Sequence, residues 1–159
     1  MRLINFNSDI NITLLEPRWN SNSISMIRKI LKVCNLQRYG VSIVLSNDKQ
    51  IQYLNCKWKG KNKPTNVLSF PQDRIISNSN YQKNYLGDII LAYQTLKKEA
   101  TFGNLSFIHH MSHLLIHGIL HLKGYDHDNK INEKVMQTEE IRILKILNIY
   151  NPYKHYRQI

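Results

Sequence analysis

The sequence predicts an α+β fold, with a small mixed β-sheet of about four strands and helices packed around a buried central helix. Three observations carry this. β-branched runs bounded by turn residues are interspersed with segments of helical periodicity. One of those segments, residues 105–122, is apolar on nearly every side, as a helix enclosed by its own fold must be. The 159 residues, 42% hydrophobic and 21% charged, suffice for one core and contain no long polar tail.

Residues 2–6 and 11–16 are short apolar-leaning runs, a strand or two, before Pro17 and the polar stretch 20–22 break the pattern. Ile24, Ile27, Ile30, Leu31 and Cys34 then recur at three-and-four spacing, which predicts a helix over about 22–35. Residues 40–45 are β-branched and flanked by polar residues, a strand. Asn47 with Gln50 marks a helix start, with Ile51, Leu54 and Trp58 on one face and Pro64 as its end. Residues 65–70 form a strand that Pro71 terminates, and 72–85, with its serine-asparagine run, form a loop. Residues 86–92 resume as a strand, and 94–99 are helical up to Gly103. After the buried helix, a last one runs from about 131 to 147 with Val135, Ile141, Leu144 and Leu147 facing inward.

The opening MRLINFNSDI breaks its apolar run too early for a secretion signal, and no stretch approaches the roughly 18 apolar residues of a membrane span. A cytosolic protein with no membrane partner is expected. Cys34 and Cys56 belong to no C-x-x-C pair and read as small apolar residues. The net charge of +11 and a pI near 9.7 point to a polyanionic partner, nucleic acid first. A general richness in Lys, Asn and Ile would also raise the charge, so composition alone leaves that partner open.

The segment HGILHLKGYDH, residues 117–127, carries the chemistry. Residues four apart on a helix lie about 40° apart around its axis, so His117 and His121 can reach one ion. His127 joins them only if the helix stops first. Gly124 supplies that stop, since glycine takes the left-handed conformation of a helix end without a Cβ penalty. Three imidazoles with a fourth position left to water describe a catalytic zinc site, although such a set also accepts nickel, cobalt or copper. His113 lies one turn earlier, about 12 Å along the axis from His121, too far to share its ion, and is expected to support the site from behind or to pack. His109 and His110 are expected at the surface or facing a partner.

The spacing H-x-x-x-H-x-x-G-x-x-H is that of the metzincin peptidases, but Gly118 stands where they carry a glutamate general base. Without that carboxylate, peptide hydrolysis loses its proton carrier. A phosphodiester needs less, because a metal and nearby cations can neutralise its oxygens. Lys57, Trp58, Lys59, Lys61 and Lys63 interleave cations with an aromatic ring, a composition suited to RNA phosphates and bases, though equally that of a solvated loop around a core tryptophan. Asp88 and Asp126 are the carboxylates nearest these motifs, available to orient a histidine or move a proton.

HGILHLKGYDH, KPTNVLSFP (63–71), LGDIIL (86–91) and NIYNPY (148–153), in this order, resemble the YbeY family of bacterial endoribonucleases over most of the chain. The resemblance implies one metal-dependent, single-strand-specific endoribonuclease domain over residues 1–159. It implies action in ribosomal RNA 3′-end maturation and ribosome quality control, with the small ribosomal subunit as partner. It places the metal, one zinc ion per chain, on His117, His121 and His127, and matches Lys59 to an arginine thought to support catalysis. Lysine keeps the charge but loses the planar fork that grips phosphate. A metallopeptidase-like zinc hydrolase and a non-catalytic RNA-binding ribosome-biogenesis factor are the rival readings.

Overall fold

In the computed structural model, which describes residues 1–5, 9–72 and 84–154, the β-branched runs form one five-stranded mixed sheet. Its strands are β1 (Arg2–Asn5), β2 (Ile10–Leu14), β3 (Gly40–Ser46), β4 (Val67–Pro71) and β5 (Tyr85–Ala92), in the order β1-β2-β3-β5-β4. Strands β2, β3 and β5 are parallel, with Ile12 opposite Ile43 and Ile43 opposite Ile89, while β1 and β4 close the two edges antiparallel. The count exceeds the expected four because the first two apolar runs form separate, paired strands. Phe6 and most of the expected 72–85 loop lie outside the described residues.

Alternation along each strand divides the sheet into two faces. Ile10, Ile12, Val41, Ile43, Leu45, Ile89 and Leu91 point to one side, into the main core. That core lies beneath α1 (Ser21–Val33) and α4 (Phe107–Leu122). Leu68, Ile90 and Ala92 point to the other, against Ile51 of α2 (Asp48–Lys59). Pro71, which has no N–H to give a ladder, ends the edge strand β4, where that loss is tolerated.

The helices α1, α2, α4 and α5 (Lys130–Ile146) each begin at a capping side chain, Asn20, Asn47, Ser106 and Asn129 respectively. Such caps contribute about 1 kcal/mol each and fix where the helix starts. The Ser106 cap corrects the expected start of the buried helix: Leu105 precedes it and is 40% exposed. Likewise α2 ends at Gly60, in the left-handed conformation at φ +66°, four residues before the expected Pro64. Its inward face also differs, since Ile51 and Asn55 are buried and Trp58 is 63% exposed. Of the two cysteines Cys34 is buried, which pushes its thiol up to about 11, whereas Cys56 is exposed and packs in no core. The remaining helix, α3 (Tyr93–Phe102), follows β5 directly.

In α5 the buried residues are Met136, Glu140, Ile143 and Leu144. The expected face is therefore rotated, with Val135 54% exposed. The rotation carries Glu140, a carboxylate, into the interface with α4.

Candidate metal centre

Helix α4 packs against α1, α3, α5, β4 and β5, so its side chains have almost no free face. Gly118 marks the closest approach to the sheet: a Cβ there would lie 2.9 Å from Ser69 Oγ and 3.2 Å from Ile89 Cγ2. A glutamate could not extend from this position without displacing β4 or β5. The missing peptidase carboxylate is thus built into the packing.

The helix then ends as its sequence required. Gly124 has φ +96°, its N–H donates to His121 O at 3.0 Å, and the Tyr125 N–H donates to Leu120 O at 3.0 Å. These two bonds form a Schellman motif, which satisfies the last carbonyls and turns the chain back. The Tyr125 carbonyl in turn accepts from His121 Nδ1 at 3.0 Å, and His127 returns to stand 5.0 Å from the His121 ring and 5.5 Å from that of His117. One nitrogen from each of the three rings lies within 4.8 Å of the others. A Cβ at Gly124 would meet open space, so Gly124→Ala carries only the left-handed strain, about 1–2 kcal/mol. Its expected outcome is a slightly lower melting temperature with a larger loss of metal affinity, measured by titration, because His127 swings away.

The hydrogen bonds around the rings decide their tautomers. His121 Nδ1 faces a carbonyl oxygen and His117 Nδ1 faces Glu140 Oε1 at 2.7 Å, so both Nδ1 atoms donate. In the neutral rings each Nε2 then carries a lone pair, and these two nitrogens face one another at 3.0 Å. Two lone pairs at that distance repel. A cation bound by both resolves the conflict, and two nitrogens about 2.05 Å from a tetrahedral zinc would lie about 3.3 Å apart. Burial, with the charges of His117 and His127 beside it, lowers the His121 pKa and favours the neutral form a metal needs. The residues present therefore fit a bound metal.

Glu140, only 1% exposed, is the feature that reading the sequence missed. Besides His117 it accepts from His113 Nε2 at 3.1 Å and from the Tyr153 hydroxyl, and the His113 ring stands edge-on to Tyr153. His113 thus lies behind His117, joined to it through Glu140. Desolvation is the largest influence on this carboxyl and pushes it up, but its hydrogen bonds to His113, His117 and Tyr153 outweigh it and hold the pKa at about 2. A signal for Glu140 existed in the apolar stripe Met136, Ile143 and Leu144 at helical spacing around it.

A cleft of about 390 Å³ opens over the three histidines, and Lys59 and Asp126 are on its wall with Val67, Ser69 and Pro71 of β4. Lys59 is there because α2 ends beside β4, and the turn after it is pinned by Asn55 Nδ2, which donates to Lys63 O at 2.8 Å. Lys57, Trp58, Lys61 and Lys63 are exposed around it. Trp58 leans on Phe70 of β4 at 6.3 Å, with Lys57 Nζ 5.2 Å from its ring. Asp126 Oδ1 accepts the His127 N–H at 2.8 Å. Asp88 is not brought to the site: it accepts the Tyr85 hydroxyl at 2.8 Å, and the alternation along β5 puts it on the face away from α4. His110 is half-buried and is held at 2.7 Å by Glu99, which also accepts from Asn66 just before β4.

Residues 5–148 match the family model described as Endoribonuclease YbeY. A protein of Ehrlichia canis named Endoribonuclease YbeY is 44% identical over 113 residues, covering 71% of this chain and 70% of that protein. One of the same name from Ehrlichia chaffeensis is 41% identical over 135 residues, covering 81% and 84%. The solution structure of a Thermotoga maritima protein aligns with a TM-score of 0.56 at 23% identity, covering 86% of this chain and 91% of that one, which shows a shared fold. On the family match and these identities, the chain belongs to the endoribonuclease YbeY family.

Proposed function

We propose that this chain is a single-domain, zinc-dependent endoribonuclease specific for single strands. It acts in the cytoplasm on the 3′ end of 16S ribosomal RNA, with the small ribosomal subunit as its partner, and in ribosome quality control. Membership of an endoribonuclease family supports RNA cleavage. The observation that carries the metal is the pair of Nε2 atoms facing one another at 3.0 Å, with His127 beside them, under an open cleft. No helix among the described residues is long and apolar enough to cross a membrane.

A zinc ion held by His117, His121 and His127 would supply a Lewis acid and an acidified water. The chain's own residues do the rest. Lys59 on the cleft wall holds the scissile phosphate as a point charge. Trp58, exposed one residue earlier, offers a face on which an unpaired base can stack, which a base within a duplex cannot do. Asp126, exposed on the same wall, can take a proton from the attacking water. Glu140 keeps Nδ1 of His117 protonated, and so keeps Nε2 free.

The test is to offer one metal-loaded sample a single-stranded RNA, its duplex and casein. Cleavage of the single strand alone is expected, and casein cleavage without RNA cleavage would overturn the reading. Lys59→Ala should slow RNA cleavage about 100-fold with metal affinity unchanged, and Lys59→Arg should restore most of it.

A further inference from the structure

The molecule has a second basic surface that the proposed chemistry does not use. Between β1 and α1 lies a groove of about 710 Å³, open to solvent and lined by Arg2, Arg28, Lys29 and Lys32. All four side chains are exposed. None takes part in an ion pair among the described residues, whereas Arg18 and Arg142 are each paired with a glutamate. Among the described residues no carboxylate lines the groove, and α1 has no acidic residue at all. The apolar residues Ile4 and Leu14 are also among its lining, inside a concave surface. A membrane-binding surface would instead present its apolar groups outward.

The position of the groove gives it a partner. It lies at the β1 edge and the three histidines at the β4 edge, on the same face of the sheet, with β2, β3 and β5 between the two edges. The C-terminal ends of α1 and α4 meet where Lys123 Nζ donates to Cys34 O at 2.6 Å. Lys32, in the last turn of α1, is thus at the end of the molecule where α4 delivers His121 and the turn to His127.

We propose that the β1–α1 groove binds the phosphate backbone of the RNA beyond the nucleotides at the metal, so that long single strands are held at two places and short ones at one. The proposal rests on RNA being the substrate. Four cations with no ion pair among the described residues, in a concave polar-rimmed channel, match a flexible phosphate chain, which gains affinity by releasing counterions. The same arrangement makes the groove indifferent to sequence.

The experiment compares the wild type with R28A/K32A, and with K134A/K145A, which removes the same charge from α5. Binding of single-stranded RNAs of about 5 and about 20 nucleotides is measured against salt concentration, and cleavage of the short RNA is followed separately. For R28A/K32A the long RNA should bind about tenfold more weakly, with the slope of log K on log salt smaller by about 1.4, or 0.7 for each lost phosphate contact. Binding and cleavage of the short RNA should be unchanged, and K134A/K145A should behave as wild type on both. Equal weakening of long and short RNA, or equal weakening by both variants, overturns the groove as a distinct site. So does a R28A/K32A defect seen only with phosphatidylserine vesicles, which would make it a membrane surface. Failure of the wild type to cleave the short RNA would instead count against the catalytic reading, which the groove variants leave intact.

Discussion

Replacing His127 with alanine is expected to leave the metal-free protein as stable as wild type while removing metal binding and RNA cleavage together. His127 is exposed, and the hydrogen bond at this position uses its backbone N–H, which alanine retains. The fold therefore loses nothing. The metal loses one of three protein ligands, and a set of two imidazoles on one helix turn no longer closes around an ion. A ligand present at 1,000 times its dissociation constant stabilises a protein by about 4 kcal/mol. Wild type should thus melt several degrees higher with zinc than without it, and His127→Ala should melt at the same temperature in both. His117→Ala should lose metal and cleavage equally but also soften the metal-free fold, because Glu140 loses a donor at 2.7 Å. Unchanged RNA cleavage by either variant would remove the metal from the reaction. Lost cleavage with intact metal-free melting in His127→Ala separates catalysis from a merely structural metal.

Helix-turn geometry made the three-histidine cluster legible in the sequence, because each step follows from local rules: 100° per residue, a glycine at φ > 0, and three imidazoles at one spacing. The structure adds the bonds at Leu120 and His121 that enforce the turn. Gly118 was legible as an absence of chemistry but not as a packing contact, since its neighbours Ser69 and Ile89 are distant in sequence. The same limit hid the strand order. Alternation in residues 40–46 and 85–92 shows which side chains are buried, but not that β3 pairs parallel with β5 and leaves β4 at the edge. Edge position in turn brings α2 and Lys59 to the cleft. Trp58 shares the spacing of an apolar stripe with Leu54, but at the end of α2 it has only the edge strand to lean on, at Phe70, and stays 63% exposed. Glu140 was concealed by its neighbour, since Glu139 pairs outward with Arg142 and makes the segment look like a solvated helix face.

Glu140→Gln is expected to weaken metal binding about 10- to 100-fold, because the carboxylate is what orients His117. Its three partners, His117 Nδ1, His113 Nε2 and the Tyr153 hydroxyl, all approach as donors. An amide of the same size has one accepting oxygen and turns an NH₂ towards a donor, leaving at least one buried group unsatisfied at a cost of about 1–3 kcal/mol. The dependence on pH gives a signature that a simple packing defect lacks. A carboxyl held at about 2 in the folded protein, against 4.5 when unfolded, contributes stability that is complete above 4.5 and is lost as pH falls from 4.5 towards 2. The displacement corresponds to about 3 kcal/mol. Denaturation of the metal-free proteins at a series of pH values should therefore show wild type well above Glu140→Gln near pH 6, with the gap closing between pH 4.5 and pH 2. Tyr153→Phe removes one donor and keeps the carboxylate, so it should retain the pH dependence and most of the metal affinity. A Glu140→Gln variant that binds zinc as tightly as wild type would show that α4 alone orients His117, and that Glu140 serves only to join α5 to it.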